Sequence, residues 1–304
     1  MTAKSQIIII GGPTAVGKSA LAVGLAKKFD GEVVGADSMQ IYRRLNIGTG
    51  KITEAEADGV PHHMIDIVDP NERYSVGQYL IDASKKIDDV LSKNKLPIVV
   101  GGTALYLNAL INGMNFSDAD RSDEVRKKWI DIASQNGKQY VYDYLRQIDP
   151  ESAAKISVND VKRVIRAIEI YEVTGSPKSK SATTAECRYD YKLYIMTRER
   201  AELYGAIEAR VDKMFDMGLE EEVRELMPYR ECQSMQAIGY KQLCDYFDGN
   251  YSSLDAVREE IKKLSRNYAK RQLTFFRGMN VDKIFVDYSD AQKAIEKNIS
   301  SFIN

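Results

Sequence analysis

Eight residues decide how this chain folds: Gly12-Pro13-Thr14-Ala15-Val16-Gly17-Lys18-Ser19. They follow the apolar run Gln6-Ile7-Ile8-Ile9-Ile10 and fit the phosphate-loop pattern G-x-x-x-x-G-K-[ST] between a predicted strand and a predicted helix. The glycines let backbone N–H groups close around an anion that faces the positive end of the helix. Lys18 would reach the terminal phosphates, and the Ser19 hydroxyl would hold Mg²⁺. A chance glycine-rich turn is the alternative, which this context disfavours.

The composition is that of an ordinary globular protein, with 304 residues of which 44% are hydrophobic and 29% charged. There is no apolar run of about 18 residues and no secretory leader, so we expect a cytoplasmic protein without a membrane segment. A net charge of −1 means that nucleic-acid binding must depend on local basic patches. Cys187, Cys232 and Cys244 lack C-x-x-C spacing, and His62 and His63 are the only histidines. This argues against a zinc site.

The first third of the sequence alternates predicted strands and helices. Strands are predicted at 6–10, 32–36, around 64–68 and at 97–100, and helices at 18–29, 75–93 and 104–111. Such alternation predicts an α/β fold of the P-loop NTPase-like type, a parallel sheet with helices on both faces. Ligands of such sheets bind at the carboxyl ends of the strands. We therefore expect the phosphate loop, Asp37 and Thr103 to lie together.

The pattern then changes to helices alone. Residues 116–188 contain no convincing strand, and we interpret them as an all-helical insertion domain with helices at roughly 123–134, 138–148 and 158–173. The α/β core would comprise 1–115 and 189–304. In its second part we predict strands at 191–196 and 283–286, and helices at 200–215, 218–227, 235–247 and 253–276.

Two polar positions at strand ends are candidates for chemistry. Asp37 could help to hold a metal ion or accept a proton from a nucleophile, but an Asp is equally good as a helix N-cap. Gly101 and Gly102 allow a ligand to approach the backbone closely before Thr103. Taken alone, a tight turn capped by Thr103 is the favoured interpretation of that motif.

Two helices carry basic side chains. Lys162, Arg163 and Arg166 lie opposite an apolar helix face, a pattern most often due to simple solvation. The segment 256–277 has seven Lys or Arg against two Glu and includes the run Lys-Arg-Gln-Leu-Thr-Phe-Phe-Arg at 270–277. Basic and aromatic residues together suit phosphate contact and base stacking. This helix indicates an anionic partner.

Eight segments carry a combined signal that no single motif has, namely 12–19, 36–43, 61–67, 74–79, 100–106, 163–175, 236–241 and 268–274. Taken together, they resemble one family, the tRNA dimethylallyltransferases (tRNA isopentenyltransferases) of bacterial type. The segments occur in the family's order and cover nearly the whole chain. Departures are small: Ser19 replaces the commoner Thr, Ala104 stands where Gly is usual, and Gly50-Lys51-Ile52 replaces Ala-Lys-Pro.

The resemblance implies transfer of a dimethylallyl group from dimethylallyl diphosphate to N6 of the adenosine just 3′ of a tRNA anticodon. It implies that Asp37 is the general base, that Thr103 contacts substrate near the reacting centre, and that Lys18 acts in catalysis with Mg²⁺ held at Ser19. The adenosine would leave the anticodon stack to enter the site. The residues expected to bind diphosphate are Gly12, Pro13, Thr14, Ala15, Val16, Gly17, Lys18 and Ser19, with Arg271 as our own addition.

The expected partners are the tRNA anticodon stem-loop and dimethylallyl diphosphate, bound by a monomer. One alternative is an adenylate isopentenyltransferase, which performs the same chemistry on a free nucleotide. A less favoured one is a P-loop small-molecule kinase that uses Asp37 as its base. The residues expected to contact tRNA are Asp37, Ser38, Met39, Gln40, Thr103, Arg126, Lys162, Arg163, Val164, Ile165 and Arg166.

Overall fold

The computed structural model describes residues 4–113, 122–181 and 186–302. The chain divides into two compact units. One unit combines Met1–Ile111 with Cys187–Asn304 and is built of strands and helices, and the other is Asn112–Glu186 and is helical in its described part. The sequence predicts limits of 116 and 188 for the insertion, which lie two to four residues later than those of the compact unit at 112 and 186.

Six strands form one parallel sheet. They are β1 (Gln6–Gly11), β2 (Gly31–Gly35), β3 (His62–His63), β4 (Leu96–Gly101), β5 (Asp190–Thr197) and β6 (Ile284–Asp287). Their order in the sheet is β3-β2-β4-β1-β5-β6. β1 is central, and Ile9 lies opposite Val99 on one side and Leu193 on the other. This sheet confirms the predicted α/β fold.

Thirteen α-helices occur in the described residues, and among these none is long and apolar enough to cross a membrane. In the α/β unit they are α1 (Lys18–Lys28), α2 (Glu54–Ala57), α3 (Val76–Ser92), α4 (Ala104–Ile111), α9 (Arg200–Asp216), α10 (Leu219–Leu226), α11 (Tyr240–Phe247), α12 (Leu254–Gly278) and α13 (Ala291–Phe302). In the helical unit they are α5 (Asp123–Ile148), α6 (Pro150–Lys155), α7 (Val161–Thr174) and α8 (Lys178–Ser181).

The four isoleucines of β1 explain why the sheet is covered on both faces. Ile7 and Ile9 belong to one hydrophobic cluster and Ile8 and Ile10 to another, because successive side chains of a strand point to opposite faces. The first cluster includes buried residues of α3, α4, α10 and α11, and the second includes those of α1 and α13. The central strand is therefore sealed from water on both sides.

The helical unit has a small core of its own. Trp129 and Leu145 of α5 pack with Val164 and Ile168 of α7. α5 is kinked at Gly137, whose φ of 83° lies in the left-handed region that glycine tolerates best. The kink separates the two helices that we predicted at 123–134 and 138–148.

Two predicted elements were wrong in their limits. β3 is confined to His62–His63, because Met64 and Asp66 have φ values of 64° and 55° that end the extended conformation. The helix predicted from residue 235 begins only at Tyr240. Ala237 is extended and Gly239 has a φ of 99°, so residues 237–239 form a turn before α11.

Gly101, the last residue of β4, provides a test of how tightly the strand ends pack. A Cβ at this position would lie 1.9 Å from the Ala36 carbonyl oxygen, a backbone atom that cannot rotate away. We expect Gly101→Ala to lower the free energy of unfolding by about 1–3 kcal/mol in urea titrations. Gly205→Ala is the matched control, because that helical position is open, and it should raise stability by about 0.5–1 kcal/mol. Equal effects of the two variants would contradict this packing.

Candidate active site

The phosphate loop connects β1 to α1 and has the backbone shape expected of an anion cradle. Gly12, Ala15 and Gly17 have φ values of 150°, 61° and 95°. Gly17 precedes the first turn of α1, where unpaired N–H groups and the helix dipole favour an anion. Lys18 Nζ donates to the carbonyl of Pro13 at 2.7 Å, so the ammonium group is folded back over the loop.

The side chain of Gln272, on α12, fastens this loop to the end of β4. Its Oε1 accepts the N–H of Thr14 at 3.0 Å, and its Nε2 donates to the carbonyl of Gly102 at 2.8 Å. A Cβ on Gly102 would lie 2.5 Å from this Nε2, which is why the residue before Thr103 has no side chain. Side chains at residues 101 and 102 would collide with Ala36 and Gln272, respectively, so contacts within the protein explain the glycine pair.

Asp37 follows β2 and caps a turn at residues 38–41; the alternative of a helix N-cap is wrong, because no helix begins there. Its Oδ1 accepts the N–H groups of Met39 at 2.9 Å and Gln40 at 3.3 Å. Within residues 4–113, 122–181 and 186–302, Oδ2 has no hydrogen-bond donor. Thr103 Oγ1 accepts the N–H of Ser38 at 2.9 Å, so the Asp37 turn and the β4 end are joined. One carboxylate oxygen shapes the turn and the other remains for chemistry.

A cavity of about 500 Å³ opens at these strand ends, within the α/β unit. Its size is that of a small-molecule site. The charged and hydrogen-bonding side chains that line it are Thr14, Lys18, Ser19, Asp37, Ser38, Gln40, Thr49, Arg210, Gln233, Gln236, Ser265, Tyr268, Arg271 and Gln272. The apolar ones are Ala15, Met39, Ile207, Val211, Met214, Ala237, Ile238 and Ile261, with Val100 at the strand end.

The expected site residues therefore divide into two groups. Thr14, Ala15, Lys18 and Ser19 face the cavity, together with residues 37–40 and Arg271. Gly12, Pro13, Val16 and Gly17 are not part of its lining and shape the loop behind it. Thr103 does not line the cavity either; it forms hydrogen bonds with Ser38 and with the hydroxyl of Tyr268.

Burial alters the proton affinities of the basic groups in the cavity. It lowers the pKa of Lys18 to about 8, an effect that Asp37 opposes and Arg210 reinforces. Burial also lowers the pKa of Arg210, while the charges of Asp37 and Glu56 oppose the shift. It raises the pKa of Tyr268 to about 12, with Asp37 acting in the same direction. Each shift reflects the cost of a charge in a poorly hydrated cavity.

Arg210 is a site residue that the sequence analysis missed. It lies on α9 and donates from Nη2 to the carbonyl of Thr49 at 3.0 Å. A Cβ on Gly50 would lie 2.0 Å from the same nitrogen, so the guanidinium can occupy this position only because residue 50 has no side chain. The available signal was an Arg set among Ile207, Val211 and Met214 on one helical face, where a charge is out of place.

The basic helix is less positive than its sequence indicated. Arg258 and Lys262 of α12 pair with Asp212 of α9, and Arg266 pairs with Glu208 at 2.6 Å. Lys263 pairs with Glu260 one turn away. The exposed cations that remain without an acidic partner among the described residues are Lys270, Arg271 and Arg277. The positive charge of α12 that these pairs do not balance thus lies in its last two turns, where Arg271 lines the cavity.

In the helical unit, one buried carboxylate forms ion pairs with two arginines. Glu169 is fully buried and accepts from Arg126 at 2.8 Å and from Arg166 at 3.0 Å. These pairings lower the pKa of Glu169 against the effect of burial. The side chain of Arg163 is 73% exposed, and its Nε lies 3.3 Å from Oδ2 of Asp160. Lys162 is exposed too.

Val164 and Ile165 do not fit the expected RNA contact. Their side chains are 1% and 4% exposed and pack in the core of the helical unit. They leave no surface through which a side chain could touch RNA. Their place in the matching segment is explained by packing, which holds α7 so that its neighbouring basic residues face outward.

The described residues contain no group of three or more His, Cys, Asp or Glu side chains that could hold a metal. Ser19 and Asp37 nevertheless place two oxygen-bearing groups in the same cavity. Mg²⁺ is usually held by one or two protein groups together with phosphate oxygens and water. The residues therefore fit an ion that arrives with a phosphate ligand.

Comparison with known proteins identifies the family. A family model described as IPP transferase matches residues 40–279. The chain belongs to the IPP transferase family. A curated relative from Thermoanaerobacter sp. (strain X514), named tRNA dimethylallyltransferase, is 44% identical over 98% of this chain and 97% of its own. Another of the same name, from Caldanaerobacter subterraneus subsp. tengcongensis, is 46% identical with the same coverage.

Solved structures of the family share the fold. The full-length tRNA isopentenylpyrophosphate transferase from Bacillus halodurans has a TM-score of 0.73 and 42% identity, over 98% of this chain and 96% of that one. A eukaryotic dimethylallyltransferase, solved acting on tRNA, has a TM-score of 0.81 and 30% identity, over 98% of this chain and 80% of that one. The bacterial and the eukaryotic relatives each match 98% of this chain, so the α/β unit and the helical unit both belong to the family's shared architecture.

The lowered pKa of Lys18 predicts a pH dependence for anion binding. Below about pH 8 the ammonium form predominates, and above it the free protein loses a cation from the cavity. We expect kcat/KM for a diphosphate substrate to be level below that pH and to fall about tenfold per pH unit well above it. Lys18→Arg keeps its charge throughout this range, so the fall should disappear in that variant. An unchanged profile in Lys18→Arg would assign the titration to another group.

Proposed function

We propose that this chain transfers the dimethylallyl group of dimethylallyl diphosphate to N6 of the adenosine 3′ of the anticodon in tRNA. The observation that carries the proposal is one cavity that contains a phosphate loop, an isolated carboxylate and an apolar wall. Each feature suits one part of this reaction, namely the leaving diphosphate, the nucleophile and the prenyl chain. The names of the relatives agree with the proposal.

The basic groups of the cavity bind the diphosphate. Negative charge grows on it as the bond from the allylic carbon to oxygen lengthens. Apart from the N–H of Thr14, which donates to Gln272, the N–H groups of the loop and of the first turn of α1 are donors already in place for this charge, together with Lys18 and Arg210. Because they are held before the reaction, little reorganisation accompanies the step. Arg271 at the cavity edge is a further phosphate partner.

Asp37 accepts the proton of the nucleophile. The lone pair of the adenine N6 amine is delocalised into the ring, so the amine reacts poorly on its own. In the transfer a bond forms from N6 to the allylic carbon and the bond from that carbon to the diphosphate oxygen breaks. The N6 proton passes to the carboxylate of Asp37, and the diphosphate leaves with the bonding electron pair. Thr103 positions Asp37 by holding the N–H of Ser38.

A magnesium ion fits beside the loop. The Ser19 hydroxyl would hold it, together with oxygens of the bound diphosphate. The ion would neutralise charge on the leaving group.

The acceptor is proposed to be tRNA because basic surfaces exist that a free nucleotide would not need. In the α/β unit, the end of α12 exposes Lys270, Arg271 and Arg277, of which Arg271 lines the cavity, and Phe275 is 40% exposed among them. Arg126, Lys162, Arg163 and Arg166 form a second basic group within the helical unit, in which the four cations outnumber the two carboxylates that they contact, Glu169 and Asp160. Phosphate contacts of this kind position an RNA, and an aromatic side chain can stack on a displaced base.

One assay distinguishes the proposal from its two alternatives. Purified protein is incubated with Mg²⁺, dimethylallyl diphosphate and either unmodified tRNA or AMP, and in parallel with ATP. We expect N6-dimethylallyladenosine in nuclease digests of the tRNA only. Prenylated AMP without prenylated tRNA would indicate an adenylate isopentenyltransferase. ATP consumption without any prenylated product would indicate a kinase and refute the proposal.

Asp37→Asn tests the role of the carboxylate as base. Asn keeps an oxygen that can accept the N–H groups of Met39 and Gln40, so the turn should survive. We expect kcat to fall by about 10²- to 10⁴-fold while KM for tRNA changes little, because the amide cannot accept the proton. Asp69→Asn, at an exposed carboxylate outside the cavity, is the control. Equal losses in kcat and in tRNA affinity for Asp37→Asn would contradict its assignment as base.

A further inference from the structure

Glu222, on α10, binds the backbone of residues 46–48, which have no role in the reaction proposed above. Its Oε2 accepts the N–H groups of Asn46 at 3.0 Å and Ile47 at 2.8 Å, and its Oε1 accepts that of Gly48 at 3.2 Å. The hydroxyl of Tyr240 donates to the same Oε1 at 2.5 Å. Three successive backbone N–H groups thus close around one carboxylate, an arrangement that also binds free anions.

The loop fixed in this way is the one that holds Arg210. The carbonyl of Thr49, directly after the three N–H donors, accepts from Arg210 Nη2 at 3.0 Å and from Gln40 Nε2 at 3.2 Å. The Gln40 amide also reaches the carbonyl of Gly50. A chain of direct contacts therefore runs from Glu222 through residues 46–50 to the guanidinium group inside the cavity.

Tyr240 closes the arrangement from the other side. Its side chain is fully buried, and a Cβ on Gly48 would lie 2.5 Å from its ring. Burial, together with the charge of Glu222, raises the pKa of Tyr240, so the phenol remains a donor. The loop can approach the ring only because residue 48 is glycine. Both the position of residues 46–48 and the direction of their N–H groups are determined by α10 and α11.

We propose that Glu222 is a positioning residue for diphosphate binding, acting through the 46–50 loop on the guanidinium of Arg210. The inference rests on the proposed function, since it takes the cavity to be a diphosphate site. A carboxylate is needed because all four groups that face it are donors. An amide of the same size turns an NH₂ donor toward N–H groups, so the loop shifts and the Thr49 carbonyl no longer directs Arg210.

The test is the affinity for inorganic diphosphate, measured by titration calorimetry in the presence of Mg²⁺. We expect Glu222→Gln to weaken binding about tenfold, because small displacements of a binding group have large effects. Glu221→Gln, at an exposed neighbour on the same helix, should stay within about twofold of the parent. In the transfer assay, KM for dimethylallyl diphosphate should rise by the same factor while KM for tRNA stays constant.

A double-mutant cycle separates positioning from general stability. If Glu222 acts through Arg210, then Glu222→Gln should weaken diphosphate binding less than about twofold in an Arg210→Gln background. A tenfold loss in both backgrounds, or a parallel rise in KM for tRNA, would overturn the proposal.

Tyr240→Phe gives a second route if Glu222→Gln does not fold. It removes one hydrogen bond to the carboxylate and should weaken diphosphate binding about threefold, again only with Arg210 present. No change in affinity would overturn the positioning role. If the titrations follow this pattern but no tRNA is prenylated, the proposed acceptor is wrong and the role of Glu222 stands.

Discussion

The backbone of Ala36 holds together the edge of the sheet at which the chemistry is proposed. Its N–H donates to the carbonyl of Val100 at 2.7 Å, and its carbonyl accepts the N–H of Thr103 at 3.1 Å. These two bonds join the end of β2 to the end of β4, so Asp37 and Thr103 leave neighbouring strands side by side. The contact requires that residue 101 have no side chain. The distance between the proposed base, Asp37, and Thr103 is thus determined by parallel strand pairing.

The features predicted correctly from the sequence are those that depend on neighbours along the chain. The isoleucines of β1 and the glycines after them fix a strand, a turn and a helix start within 20 residues, and the structure has all three. Alternating apolar segments predicted the parallel sheet for the same reason. Where local backbone conformation breaks a hydrophobic pattern, as at Met64 and Gly239, the predicted limits were wrong because periodicity carries no information about φ.

The features missed depend on elements far apart in sequence. The neutralisation of α12 by acidic residues of α9 is invisible to a charge count over one helix, since the partners lie more than 40 residues away. Arg210 and Glu222 likewise acquire meaning only when the 46–50 loop is placed between them. Within its own helix Glu222 is an ordinary charged residue, whereas Arg210 lies on an apolar face that marks it as unusual but does not identify its partner. The sequence shows which positions carry a charge. Whether that charge is buried or balanced by a partner depends on how the helices pack, and is known only from the structure.

Gln272 restricts which sequences this architecture can accept. Its terminal amide donates to one loop and accepts from another at the same time, across a span set by two side-chain methylenes. Glutamate at this position would lack the donor, lysine would lack the acceptor, and asparagine is one carbon shorter. Each of these changes would break at least one of the two contacts. Because Thr14 and Gly102 both line the cavity, one side-chain amide holds two of its walls at a fixed separation.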